Sequence, residues 1–283
     1  MNKAIYIATS EANSGKSIVS LGLMRMLLGK TAKVGYFRPI IDDIINGKKD
    51  NHINTIISHF ELDINQDEAK KLEGGTDSVC VPINSYLIKT PNQIVLVDAG
   101  AGIIADEDTG HLVEQLKEIG IEPNHIDIIL ITHFHFDHIR GLTTLEGKPL
   151  FPNATLYISK VESDYWMRDL DSIPENQRIR ASKYKDILSP YVSTNRYRTF
   201  LPNEDLGDDI KALPAYGHTI GHTVYTFVSQ GEEVEFIGDL IHFEKIQFKY
   251  PKVSVSFDYN AQMAKDSRLD YFRRAAKTNA YIA

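Results

Sequence analysis

At 283 residues, with 42% hydrophobic and 24% charged side chains, the chain reads as globular, with room for one large domain or two smaller ones. Its formal net charge of -7 and scattered Lys and Arg argue against a nucleic-acid footprint, and the single cysteine, Cys80, rules out an intrachain disulfide and disfavours a thiolate metal site. The Ala4–Ala8 apolar run is too short for a signal peptide and nothing approaches a membrane span, so we expect a soluble cytoplasmic protein with a small-molecule substrate, neither nucleic-acid nor membrane partner, and an oligomeric state left open.

Ala4-Ile5-Tyr6-Ile7-Ala8 reads as a short buried strand. A small, polar stretch from Thr9 to Gly15 follows. Lys16-Ser17 then opens a helical pattern through Ile18, Leu21, Met24, Leu27 and Leu28, stopped at Gly29. Strand, polar loop, Gly15-Lys16-Ser17 and helix is the order of a phosphate-binding loop, in which backbone N–H groups cradle phosphates, Lys16 neutralises charge and Ser17 holds Mg²⁺. Ser10 stands where the first glycine is usual, and Asp42 and Asp43 are the nearest magnesium-holding candidates. The plainer alternative is a strand–helix unit whose glycine permits a tight turn.

Tyr6 to Ser17, Val34 to Ile41 with Phe37-Arg38-Pro39-Ile40, and Asn51-His52-Ile53 resemble the amino-terminal region of bacterial phosphate acetyltransferases, itself similar to P-loop domains of the dethiobiotin-synthetase type. That family's acyl-transferring domain lies far downstream and has no counterpart in these residues, so its activity is not carried over. Composition shifts near Gln66 to Gly75, and the expected division is a partial P-loop-like βαβ segment at 1–69 and a second domain at 70–283.

Beyond that boundary the pattern turns to strands. Val81 to Lys89 and Ile94 to Val97 flank a Pro91-Asn92 hairpin signal, and the second runs into Asp98-Ala99-Gly100. A helix is expected from Gly110 to Ile119. Asp127 to Ile131 then reads as a strand that stops in His133-Phe134-His135-Phe136-Asp137-His138. At a strand end, alternate side chains can converge on one point, and imidazole with carboxylate suits Zn²⁺ and its first-row neighbours. The bland alternative is three unrelated histidines in a surface turn. A strand at Thr155 to Ile158 and a helix with Val161, Tyr165 and Trp166 follow. Residues 172–206 look polar and irregular, with helical potential from Arg178 to Leu188, either a lid or a solvated excursion. His218 and His222 then follow glycines, Asp239 ends the strand Val234 to Ile237, and an amphipathic helix from Ala261 to Ala276 leads to a short strand at 280–283.

The His-x-His-x-Asp-His cluster, the distant His218 and then Asp239 resemble the metallo-β-lactamase superfamily, and Asp98 fits its early loop-supporting aspartate. Phe151-Pro152-Asn153-Ala154, Asp164-Tyr165-Trp166 and Gly238-Asp239-Leu240-Ile241-His242 are most similar to its methyl-parathion-hydrolase-like and acyl-homoserine-lactonase-like branch. The resemblance implies an αββα sandwich over residues 70–283. It assigns His133, His135 and His218 to one Zn²⁺, Asp137 and His138 to a second, and Asp239 as a bridge. His222 would brace a loop as a donor, while His111, His125 and His242 read as surface or packing residues. Two such ions sharing a water bring its pKa from ~15.7 towards ~7, giving a metal-bound hydroxide that attacks a lactone, ester or phosphotriester, with Asp137 orienting it. The alternatives are a nucleotide- or phosphate-binding module resting on Gly15, Lys16 and Ser17, and an inactive truncated fusion. The family's further second-site histidine follows a strand after the last helix, and no such histidine occurs before Ala283. A C-terminally incomplete sandwich, a weak second site and depressed turnover are therefore expected. Elemental analysis should find fewer than two metals per chain; two tightly held ions at saturation would refute this.

Overall fold

In the strands of this protein, neighbouring residues are buried on opposite sides, and that alternation sets the layers. The computed structural model describes residues 81–102, 109–207 and 209–283. The expected phosphate-binding loop with Gly15, Lys16 and Ser17, and the expected boundary near 66–75, lie outside the described residues. The chain divides into two compact units, residues 1–80 with 243–257 and residues 81–242 with 258–283.

In chain order the elements are β1 (Tyr86–Lys89), β2 (Ile94–Val97), α1 (Leu112–Glu118), β3 (Ile128–Ile131), α2 (Phe136–Ile139), β4 (Thr155–Ser159), α3 (Lys160–Trp166), α4 (Glu175–Ser193), β5 (Tyr197–Phe200), β6 (Asp205–Gly207), β7 (Ile210–Pro214), β8 (Thr223–Ser229), β9 (Glu232–Phe236), α5 (Glu244–Gln247), α6 (Ala261–Thr278) and β10 (Tyr281–Ile282). α5 belongs to the first unit and the rest to the second. The second unit holds two five-stranded sheets, ordered β1-β2-β3-β4-β5 and β10-β9-β8-β7-β6. β2 to β5 pair in parallel with β1 antiparallel at the edge. In the other sheet β6 to β9 are antiparallel and β10 joins β9 in parallel.

Val95, Val97 and Leu130 pack with Ile210, Ala212, Tyr225 and Phe236, so these faces of the two sheets meet. The Tyr225 hydroxyl crosses that layer and donates to the Ile131 carbonyl at 2.8 Å. On the first sheet's other face, Leu96, Ile129, Ile131, Leu156 and Ile158 pack against Leu116, Ala181, Tyr184 and Leu188 from α1 and α4. On the second sheet's other face, Val224 and Ile237 cluster with Tyr271 of α6. Helix, sheet, sheet, helix is the αββα sandwich that the sequence led us to expect.

The segment expected to be irregular differs. It forms the 19-residue α4, and Ala181, Tyr184, Leu188 and Tyr191, spaced by three and four, are its buried residues. Half of that stripe is tyrosine, which hydrophobic periodicity underweights. α4 is thus core rather than lid, and Trp166 packs beside it at 5.1 Å from Tyr184 between ring centroids.

The strand ends that carry the site are tied together by backbone contact. Ala99 N–H donates to the His138 carbonyl at 2.8 Å and Gly141 N–H to the Gly100 carbonyl at 3.0 Å. A Cβ on Gly141 would lie 1.9 Å from the Ala99 oxygen. Gly141→Ala should therefore destabilise the fold by about 1–3 kcal/mol, as overpacking does. Urea unfolding checks this, and an unchanged midpoint would contradict the close approach.

Candidate metal centre

Three strand ends from both sheets deliver the site. β3 stops at Ile131 and runs through Thr132 into His133 and His135, with Asp137 and His138 on the short α2. The β7–β8 connection carries His218 and His222, and Asp239 follows β9. Thr223 N–H donates to the Thr132 carbonyl at 3.0 Å, pinning the second sheet's loop to the first sheet's end.

His133, His135, His218 and Asp239 each present a ligand atom to one point, and Asp137, His138 and Asp239 do so to a second, all within 4.8 Å in each group. His135 Nδ1 lies 2.9 Å from His133 Nε2 and 2.8 Å from His218 Nε2. Asp239 splits its carboxylate: Oδ1 lies 3.1 Å from His138 Nε2, while Oδ2 lies 3.1 Å from His218 Nε2 and 3.8 Å from His133 Nε2. The geometry that the sequence could only imply, with Asp239 between the two groups, is present.

What lies behind each ring sets its tautomer. Thr132 Oγ1–H donates to Asp98 Oδ2 at 2.8 Å, so the hydroxyl oxygen is free to accept from His133 Nδ1–H at 3.0 Å. His138 Nδ1–H donates to the same Asp98 oxygen at 2.7 Å. His218 Nδ1–H donates to buried Asp258 Oδ1 at 3.0 Å. Each arrangement leaves Nε2 as a lone pair facing the centre. Convergent imidazole lone pairs and a carboxylate oxygen cannot satisfy one another, and this donor set fits a divalent cation of the zinc type.

Electrostatics agree. Burial holds His133 well below the ordinary imidazole value and lowers His135 to about 3, both aided by neighbouring imidazoles, so both are in the ligating neutral form. Burial would lower His138 and His218 too, but Asp239 with Asp98 raises the first, and Asp239 with Asp258 the second. Asp239 itself, which burial would raise, is held well below the carboxylate range by His138, His218 and His242. The centre favours positive charge, and a cation entering it competes with protons.

Asp98, expected as a loop support, accepts from Thr132 N–H, Thr132 Oγ1–H and His138 Nδ1–H. It does so from a left-handed backbone, φ +58°, a strained conformation of the kind that clusters at functional sites. His222 was expected to brace as a donor; instead its Nε2 accepts from Asp239 N–H at 3.1 Å. A Cβ on Gly238 would lie 2.9 Å from that nitrogen, so the glycine lets the ring close in. His242, read as a surface or packing residue, is 3.1 Å from Asp239 Oδ2 through Nε2, and its ring lies tilted against His218 with centroids 4.8 Å apart. His111 is exposed beside Glu114, and His125 Nδ1 accepts from Glu122 N–H, as packing histidines do.

Sequence reasoning missed Thr132, Glu162, Asp258 and His242. Glu162 is fully buried; burial raises its carboxyl, and donors from Phe134, Thr219, Gly221 and Trp166 oppose that. Asp258 also opposes the lowering that burial imposes on Arg268. A glutamate at Glu162, four residues before Trp166 on a helix face turned inward, was the available signal; Asp258 had none.

Residues 79–280 match the metallo-beta-lactamase superfamily. The chain belongs to that family. Residues 3–103 match an AAA domain. Phosphate acetyltransferase of Synechocystis is 48% identical over 62 residues, 22% of this chain and 9% of that protein, so the chain spans about a tenth of that relative's length. Among solved structures, AidC, a dizinc quorum-quenching lactonase in complex with a product, is 30% identical with a TM-score of 0.66, covering 82% of this chain and 77% of AidC. The hydrolase AbOPH of the beta lactamase superfamily is 28% identical with a TM-score of 0.69, covering 84% of this chain and 79% of its own. The superfamily match and these two structures agree on the fold, and AidC and AbOPH are hydrolases in their own descriptions.

Asp98→Asn turns one accepting oxygen into a donor facing Thr132 or His138. Metal affinity should fall about 10–100-fold, the usual cost of losing such a support. Competition with a chromophoric chelator measures it, and parental affinity would contradict the role.

Proposed function

We propose that the protein is a zinc-dependent hydrolase of small neutral substrates carrying a lactone, ester or phosphotriester. The observation that carries this reading is the convergence of His133, His135 and His218 on one oxygen of Asp239, with Asp137 and His138 gathered at the other. Divalent cations held there would supply Lewis acidity, polarising a carbonyl or phosphoryl oxygen and lowering the pKa of water.

The protein's own groups position and handle protons. Asp239 joins the two groups through separate oxygens, which fixes their spacing. Asp137 is half-buried; burial would raise its carboxyl, but His138 at 3.4 Å outweighs this and keeps it ionised at neutral pH. It can therefore accept a proton from an attacking water and orient it. The first group offers four protein donors and the second three, one of them shared, so we expect the second ion to bind more weakly. The zinc identity draws on AidC, described as dizinc, and the lactone preference on the same neighbour. No helix among the described residues is long and apolar enough to cross a membrane. With a single cysteine the chain needs no oxidising compartment, which favours the cytoplasm. The acidic balance favours a small-molecule partner over nucleic acid.

A second reading, a nucleotide- or phosphate-binding role for Gly15, Lys16 and Ser17, is supported by the similarity to phosphate acetyltransferase over 62 residues and the AAA match. It is compatible with a hydrolase in the remainder of the chain. Labelled ATP retained by the parent and lost on Lys16→Ala would support it.

Purified protein assayed with zinc against a panel of lactones and phosphotriesters should turn over at least one class. His135→Ala removes a donor itself and should cost more than the roughly 10–100-fold typical of a supporting residue. Hydrolysis unaffected by that substitution would sink the assignment.

A further inference from the structure

Glu162 lies on α3, belongs to neither ligand group, and is fully buried. Its two oxygens take four hydrogen bonds. Oε1 accepts from Phe134 N–H and from Trp166 Nε1–H, each at 3.1 Å. Oε2 accepts from Thr219 Oγ1–H at 2.9 Å and Gly221 N–H at 2.8 Å. Phe134 is the residue between His133 and His135, while Thr219 and Gly221 follow His218. One carboxylate therefore holds the two backbone segments that carry the three histidines of the first group. The segments come from different sheets, and the fit is close: a Cβ on Gly221 would lie 2.3 Å from Glu162 N.

The second group is supported elsewhere. His138 leans on Asp98, whereas the four hydrogen bonds of Glu162 described above go to Phe134, Trp166, Thr219 and Gly221. Asp98 reaches both groups, His138 directly and His133 through Thr132. Glu162 reaches only the first.

We propose that Glu162 is a positioning residue that sets the affinity and geometry of the His133–His135–His218 group by locking its two loops together, independently of the Asp137–His138 group. A carboxylate is needed because all four partners are donors. Glutamine would turn one oxygen into an N–H₂ group aimed at a donor pair, opening one arm of the clamp. The proposal rests on reading the first group as a metal site.

The test is cobalt binding to the metal-stripped full chain, followed by chelator competition and by the visible d–d spectrum, which reports ligand geometry without requiring turnover. Glu162→Gln should weaken one of the two binding steps about 10–100-fold and alter its d–d bands, leaving the other step and its bands as in the parent. Asp98→Asn should weaken both steps. If Glu162→Gln does not fold, Thr219→Val removes a single hydroxyl from the clamp and should weaken the same step to a smaller degree. Parental affinity and spectrum in Glu162→Gln, or in Thr219→Val where that is the variant available, would overturn the proposal. So would equal weakening of both steps. A parent chain that binds no cobalt overturns the metal-site reading as well, which separates the two failures.

Discussion

Lone pairs from three imidazoles and a carboxylate aimed at one point are mutually unfavourable, and the protein must hold them there from behind. His133 Nε2, His135 Nδ1, His218 Nε2 and Asp239 Oδ2 make that convergence. The supports are themselves buried and polar: Asp98, Thr132, Glu162, His222 and Asp258. Burying one carboxylate costs several kcal/mol. A hydrogen bond to a charged group returns about 1.5–3 kcal/mol, so the four on Glu162 and the three on Asp98 are of the size needed to offset it. The site is thus affordable only as a connected network.

Because ligands come from strand ends of two facing sheets, the sandwich core and the metal centre share one constraint. Small residues make the contact possible. Gly141 lets the Asp98 turn rest on the α2 exit, Gly221 lets the His218 loop rest on α3, and Gly238 lets His222 reach the backbone of Asp239. Any of these filled by a methyl group would push apart loops whose separation the metal geometry depends on. The tyrosines of α4 act at longer range: Tyr184 packs on Phe134 and Phe136, the residues interleaved with the histidines, and its phenol is pushed well up by burial.

The two ligand groups differ in kind. The first is histidine-rich, deeply placed and clamped by Glu162 and Asp258, while the second is built around the half-exposed Asp137 and relies on Asp98. Asp239 joins them, and its backbone is itself held by His222. A rigid site beside a more open one suits chemistry in which one position orients and the other exchanges solvent and substrate.

The spacing His133-x-His135-x-Asp137-His138, with His218 and Asp239 each following a glycine, was legible from the chain because metal chemistry needs particular donor types at strand ends, and short-range pattern records both. The αββα layering was legible only through the family resemblance that this ligand pattern carries, since the short apolar strands by themselves do not say which sheet faces which. α4 was legible only as helical potential over 178–188 and not as part of the core, because half of its buried stripe is tyrosine, and His242 was not, since its approach to Asp239 depends on the turn between them. Thr132 and Asp258 were beyond reach of the linear pattern, since an isolated threonine or aspartate carries no spacing that distinguishes a solvated side chain from a buried support, and Glu162 offered only its helical spacing from Trp166. The chain alone determined which atoms could bind a metal; only the folded arrangement of two sheets decided which residues stand behind them, because a hydrogen bond across dozens of residues leaves no local trace.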